Sequence, residues 1–126
     1  EEHKEEQDTY EQFLVKKDVQ FIEKIHQVIE ENLDNSDFNI DTIASTIGLS
    51  RSAFFKKLKS LTGFAPVDLV KEIRLNKSIE LIKNSDMSIS EIAFAVGFKD
   101  SGYFSKCFRK KYDQTPREYM NEWRKG

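Results

Sequence analysis

The stretch IDTIASTIGLSRSAFFKKLKSLTGFAP at residues 40–66 returns as ISEIAFAVGFKDSGYFSKCFRKKYDQTP at residues 89–116. Ile40, Ile43, Ala44, Ile47, Gly48 and Leu49 recur as Ile89, Ile92, Ala93, Val96, Gly97 and Phe98, an offset of 49 residues. Phe54, Lys56, Leu58, Lys59 and Pro66 recur as Phe104, Lys106, Phe108, Arg109 and Pro116, now offset by 50, which places one extra residue in the second turn. Self-similarity at a fixed spacing marks a repeated supersecondary unit. Each copy reads as a short helix, a glycine turn and a second helix with a polar outer face.

A helix-turn-helix needs a small residue where its helices touch, a glycine in the turn and an apolar anchor under the second helix. Ala44, Gly48 and Phe54 fill these roles, and Ala93, Gly97 and Phe104 fill them again. A pair of αα-hairpins that only pack would need similar residues. Packing alone, however, does not require cationic outer faces.

Working outward, helical periodicity dominates and no segment alternates long enough to predict a strand, so the fold class is all-α. Asn39 can cap a helix over about 40–47, ended by Gly48, and Ser50 caps one over about 51–62, closed by Gly63. The first helix-turn-helix is thus about 40–62. Pro66 suits the first position of a long helix to about Lys83, with Leu69, Val70, Ile73, Ile79 and Ile82 on its buried side. Ser88 and Glu91 make a capping box for a helix over about 89–96, and Asp100 or Ser101 caps one over about 101–112, so the second unit is about 89–112. Thr115, Pro116 and Glu118 combine a capping box with an N1 proline and start a last helix through about Trp123. Toward the N-terminus, Asp18 is the expected cap of a helix to Leu33 that carries Ile22, Ile25, Ile29 and Leu33 on one face. Residues 1–17 read as an acidic linker or a short helix from an upstream domain. Within them Tyr10, Phe13 and Leu14 can form a short amphipathic stretch.

The net charge of −2 conceals an asymmetry. Residues 1–37 hold 4 basic and 12 acidic side chains, a net −8, whereas residues 38–126 hold 16 and 10, a net +6. A basic repeat-bearing segment behind an acidic front points to a polyanionic partner for the repeat. The single cysteine, Cys107, excludes an internal disulfide and fits a reducing compartment. No segment resembles a signal peptide or a membrane-spanning run, so a cytoplasmic location is expected for this segment. The charged start at Glu1, without a methionine, reads as the continuation of a longer chain.

With Phe54, Leu58 and Leu61 turned inward, the helical period turns Ser52, Phe55, Lys56 and Lys59 outward, with Arg51 at the N-terminus. With Phe104 and Phe108 inward, Ser101, Gly102, Ser105, Lys106 and Arg109 face out. The N-terminal part of such a helix meets base edges in a major groove, so Arg51, Ser52, Phe55, Lys56, Ser101, Gly102, Ser105 and Lys106 are the base-reading candidates. Phe55 either touches a thymine methyl or packs against the neighbouring helix. Gly102 either admits a close backbone approach or is a tolerated glycine of the first turn. Ser50, Lys57, Lys59, Arg109, Lys110, Lys111, Thr115 and Arg117 are the phosphate candidates, with helix N-termini near Ser50, Ser88 and Thr115 offering N–H groups. The long helix, about 18 residues at 1.5 Å each, spans roughly 27 Å, comparable with the roughly 34 Å between successive groove faces. One chain is therefore expected to read two adjacent major-groove segments. Because the two reading faces differ, its site should not be palindromic.

These residues resemble the AraC/XylS family of bacterial transcription regulators over about Asp18 to Arg124. The resemblance rests on Ile43-Ala44, Gly48-Leu49-Ser50, Phe54, Lys57-Leu58, Thr62-Gly63, Pro66, Arg74-Leu75, Ile89 to Ala93, Val96-Gly97-Phe98, Tyr103-Phe104, Phe108, Thr115-Pro116 and Tyr119. It implies a seven-helix DNA-binding domain over 18–126, two helix-turn-helix units joined by a long linker helix, and sequence-specific regulation of transcription. Ser50-Arg51-Ser52 and the run Lys57 to Gly63 resemble the output domain of Bacteroides-type hybrid two-component regulators, which implies a membrane-anchored full-length chain. Promoter DNA is the implied partner, with RNA polymerase and a homodimer formed through upstream domains as further ones. No small-molecule ligand is expected in this segment. The chain departs from many members at Ser52, where they carry a larger polar or aromatic residue, and at Phe55, where they carry a polar one.

A helical protein-interaction module docking through Tyr10, Phe13 and Leu14 is the competing reading. An enzyme finds little support, because the carboxylates are scattered, His3 and His26 lack an evident partner, and Cys107 has no positioned base. No catalytic residue, metal ligand or cofactor is expected.

Overall fold

The absence of any glycine or proline before Gly48 shapes the first element. The computed structural model describes residues 2–124, with side chains from Thr9 onward, and opens with one uninterrupted helix, α1 (Glu2–Glu31). Asp18 therefore lies within the helix rather than capping it, and the helical part extends back through the segment read as an acidic linker or a short helix. The reason is propensity: a run rich in Glu, Lys and Gln with no breaker continues a helix whose later turns are anchored by packing. Residues 9–17 are exposed throughout, Tyr10, Phe13 and Leu14 among them. His26 is exposed on the same helix, and the His3 side chain lies outside the described residues.

Six further helices follow: α2 (Ile40–Ile47), α3 (Arg51–Thr62), α4 (Pro66–Asn84), α5 (Ile89–Ala95), α6 (Ser101–Tyr112) and α7 (Pro116–Trp123). Seven helices and no strand make up the described residues. Local caps set these boundaries. The Ser50 hydroxyl accepts from the Ala53 N–H, and the Gly63 N–H donates to the Lys59 carbonyl at the other end of α3. Ser88 and Glu91 form the full reciprocal capping box. Asp100, rather than Ser101, caps α6 by accepting from Gly102 N–H at 2.9 Å. Thr115 accepts from the Glu118 N–H ahead of Pro116, the N1 residue of α7.

The chain divides into two compact units. The first comprises α1 with residues 40–66. Its buried side chains include Phe21, Ile25, Val28 and Ile29 of α1 with Ile43, Ala44, Phe54 and Leu58, and the Phe21 and Phe54 rings meet edge-on at 6.3 Å.

The second unit comprises residues 32–39 with 67–124. Leu75, Ile82, Ile92, Ala93, Val96, Phe98, Phe104, Cys107 and Phe108 form its core, with Leu33, Tyr112, Tyr119 and Met120 packed against it. Burying this apolar surface at roughly 25 cal/mol per Å² is what holds the short helices α5 to α7 in place. α4 is buried on two opposite faces, with Leu69 and Ile73 on one and Leu75, Ser78 and Ile82 on the other. The Ser78 hydroxyl is satisfied by the Leu75 carbonyl at 2.6 Å. The Arg124 guanidinium donates to the carbonyls of Ile82 at 3.0 Å and Met87 at 2.8 Å, tying the end of α7 to the end of α4.

Candidate nucleic-acid interface

Each turn is built by the same backbone bonds. Leu49 N–H donates to the Ala44 carbonyl at 2.9 Å, and Phe98 N–H donates to the Ala93 carbonyl at 2.9 Å. This six-to-one closure needs a left-handed residue just before the donor, and Gly48 (φ 85°) and Gly97 (φ 96°) supply it. The chain then re-enters a helix at Ser50 or Asp100, which aims α3 and α6 away from their predecessors.

In α3, Phe54 and Leu58 are fully buried. Leu61, expected inward, is instead 38% exposed. It stands in the last turn, beyond the reach of the core that Phe54 and Leu58 enter. Arg51, Ser52, Phe55, Lys56 and Lys59 form an exposed face. Phe55 is 47% exposed, so part of its ring is open to a partner and the rest is covered by the fold.

In α6, Phe104 and Phe108 are fully buried and their rings meet at 5.8 Å, while Cys107 is a buried helix residue beside them. Gly102, Lys106, Arg109 and Lys110 are exposed, and Ser101, Ser105 and Lys111 are partly so. A Cβ added at Gly102 would meet only the Asp100 carboxylate, its Oδ1 at 3.3 Å, so nothing in the fold demands glycine there.

The cations are not equally free. Arg51 lies 3.6 Å from Asp41, both side chains largely exposed, a pair that water screens. Lys57 rests its ammonium over the Phe21 ring at 4.4 Å, leaving its charge uncompensated. Lys111 is different: its ammonium pairs with Glu72 and donates to Asn76 Oδ1 at 2.6 Å, and its side chain is only 20% exposed. Tyr112 donates to the same Asn76 oxygen at 3.0 Å, and burial, with Glu72 nearby, pushes its hydroxyl up to about 12. Lys56, Lys59, Lys106, Arg109, Lys110 and Arg117 form no ion pair among the described residues. Ser50 and Thr115 act as cap acceptors, and each retains its own O–H to donate.

Three cations of the second unit, Arg74, Lys99 and Lys71, make contacts that no local pattern in the sequence shows. Arg74 of α4 reaches into the α5–α6 turn, donating to the Gly97 carbonyl at 3.1 Å and to the Asn35 carbonyl at 3.2 Å, and burial pulls its guanidinium below the ordinary value. Lys99 and Asp37 add a 3.0 Å ion pair between the same two segments. Lys71 of α4 stands against Tyr103 of α6, its ammonium 5.7 Å from the ring centroid. Only the motif Arg74-Leu75 hinted at the first; no local pattern links residues so far apart in the chain. Among the described residues no group of three or more His, Cys, Asp or Glu side chains could hold a metal ion, and no helix is long and apolar enough to cross a membrane.

A family model described as "Helix-turn-helix domain" matches residues 43–122, well over half of the chain. Histidine kinase P4 of Formosa agariphila is 38% identical over 106 residues, which are 84% of this chain and 8% of that protein, so the chain spans less than a tenth of this relative's length. Among solved structures, a transcriptional regulator of Chromobacterium violaceum, described as AraC-type and DNA-binding, is 28% identical with a TM-score of 0.75 over 81% of this chain and 90% of that one. The DNA-binding domain of the global transcriptional factor AdpA, solved in complex with a target DNA, is 28% identical with a TM-score of 0.76 over 83% of this chain and 93% of that one. The chain belongs to the AraC-type helix-turn-helix family.

Proposed function

We propose that this chain binds double-stranded promoter DNA sequence-specifically and regulates transcription, with α3 and α6 each reading one of two adjacent major-groove segments. The observation that carries the reading is the doubled unit itself. Two capped helices, each anchored by a buried phenylalanine, expose hydroxyl and cationic side chains on the face a groove would meet. The similarity to a domain solved on its target DNA supports it.

Arg51, Ser52, Phe55 and Lys56 of α3, with Ser101, Gly102, Ser105 and Lys106 of α6, are the proposed base readers. Lys57, Lys59, Arg109, Lys110 and Arg117, with the hydroxyls of Ser50 and Thr115, are the proposed phosphate contacts. Lys111 joins them only if its ammonium leaves Glu72. In this reading residues 18–126 form the DNA-binding module and residues 1–17 lead into it from upstream.

The module acts as the cytoplasmic output domain of a longer two-component regulator, without catalysis of its own. The histidine kinase relative supports that arrangement, since this chain matches only a small part of it. Dimerisation through upstream domains and contact with RNA polymerase belong to that whole-protein reading.

Selection of bound fragments from a randomised duplex pool, followed by anisotropy titration, tests the proposal. A non-palindromic site should emerge, bound at least 10³-fold more tightly than random duplex, with affinity falling steeply as salt rises. Equal binding to every duplex would remove the specificity.

A further inference from the structure

Two lysines stand where α4 meets α6, and they are treated differently. Lys111, near the C-terminal end of α6, is neutralised by Glu72 and held by Asn76. Lys71, one residue before Glu72 on α4, faces the first turns of α6, where its neighbour is the Tyr103 side chain rather than a carboxylate. Asp68, one turn back on α4, exerts a weak attraction on Lys71 but makes no ion pair with it. The seam thus ends in one compensated and one uncompensated positive charge.

Tyr103 is set up to hold its hydroxyl there. Its ring packs on the buried Phe98 with centroids 6.0 Å apart, while 49% of the residue remains exposed. It sits one position after Gly102 and three before Lys106, among the proposed base readers of α6. The phenol oxygen favours the protonated amine, and with the nearby charges it raises the Lys71 pKa despite some desolvation. The ammonium is therefore fully charged at neutral pH.

We propose that Lys71 and Tyr103 form a phosphate clamp beside the second reader, the ammonium and the phenol O–H each donating to a non-bridging oxygen of one backbone phosphodiester. The pairing suits the ligand: a charge-assisted N–H donor and an O–H donor side by side, held by two helices, match an anion with two acceptor oxygens. The first unit has no counterpart, because Ala53 stands where the second has Tyr103. The clamp rests on the DNA reading above and assigns it a contact that carries register rather than sequence information.

Anisotropy of the full chain on its selected duplex, repeated across a salt series, counts the phosphates neutralised. K71M should lower the slope of log affinity against log salt by about one and weaken selected and random duplexes alike. Y103F, which keeps the ring on Phe98, should weaken both in the same uniform way but by less. K77M, at a lysine of α4 already paired with Glu80 at 3.0 Å, should keep the wild-type slope. An unchanged slope in K71M overturns the clamp, as does a Y103F protein that binds like the parent or a K71M loss confined to one base position. If K71M fails to fold, Y103F alone decides. A parent chain that binds no duplex sinks the DNA reading itself.

Discussion

The two glycine turns share a backbone conformation and differ in everything around it. At Gly48 a Cβ would meet nothing within 4 Å. At Gly97 it would overlap the carbonyl oxygen of Leu33 and lie 2.8 Å from the Arg74 guanidinium. The first turn is therefore a local device, defined by its own φ. The second is also a packing site where three stretches of the second unit converge: the segment after α1, the middle of α4 and the α5–α6 turn. Duplication preserved the turn, but tertiary context gave the copies unequal tolerance to change.

Substitutions at equivalent positions can break that comparison. Gly97→Ala should have the largest effect, roughly 3–5 kcal/mol, because left-handed strain is joined by overlap with a backbone oxygen and with a half-buried arginine held by two hydrogen bonds. Urea unfolding would show it as a large fall in midpoint, and a loss under 1 kcal/mol would mean the turn is as open as its counterpart. Gly48→Ala should cost about 1 kcal/mol, the left-handed penalty alone. A loss as large as that at Gly97 would show hidden crowding in the first unit.

The smallest effect is expected at Gly102, which aligns with Ser52 and which the fold does not require. Gly102→Ala should leave stability within about 1 kcal/mol of the parent, on the stabilising side, since alanine is the better helix former and only the exposed Asp100 carboxylate must yield. If α6 reads bases as proposed, affinity for the selected duplex should nevertheless fall, because a methyl group would stand on its reading face. Thermal melting and anisotropy on one protein separate the two effects, and unchanged affinity would make Gly102 a tolerated first-turn residue.

Much of the architecture could be read before any coordinates. The caps at Ser50, Ser88, Asp100 and Thr115 lie two or three residues from the N–H groups they accept, so adjacent letters encode them. The inner faces marked by Phe54, Leu58, Phe104 and Phe108 follow from a 3.6-residue period for the same reason. The misread features fail that test of locality. Asp18 looked like a cap, but whether a helix starts there depends on what continues before it, and nothing in that stretch breaks the helix. Leu61 continued the apolar stripe of α3, yet the core ends before its turn. Lys111 looked as free as Lys110 until α4 brought Glu72 against it from 39 residues away.

The sequence by itself determined two helix-turn-helix units, their caps and the polarity of their outer helices, because those depend on interactions within about four residues. The tertiary structure alone decided which lysines are tied up in ion pairs, that Arg74 binds the second turn to the segment after α1, and that Lys71 meets Tyr103. Such pairings link residues more than twenty positions apart. No local propensity reports them, since burial and side-chain reach in the packed chain choose the partner.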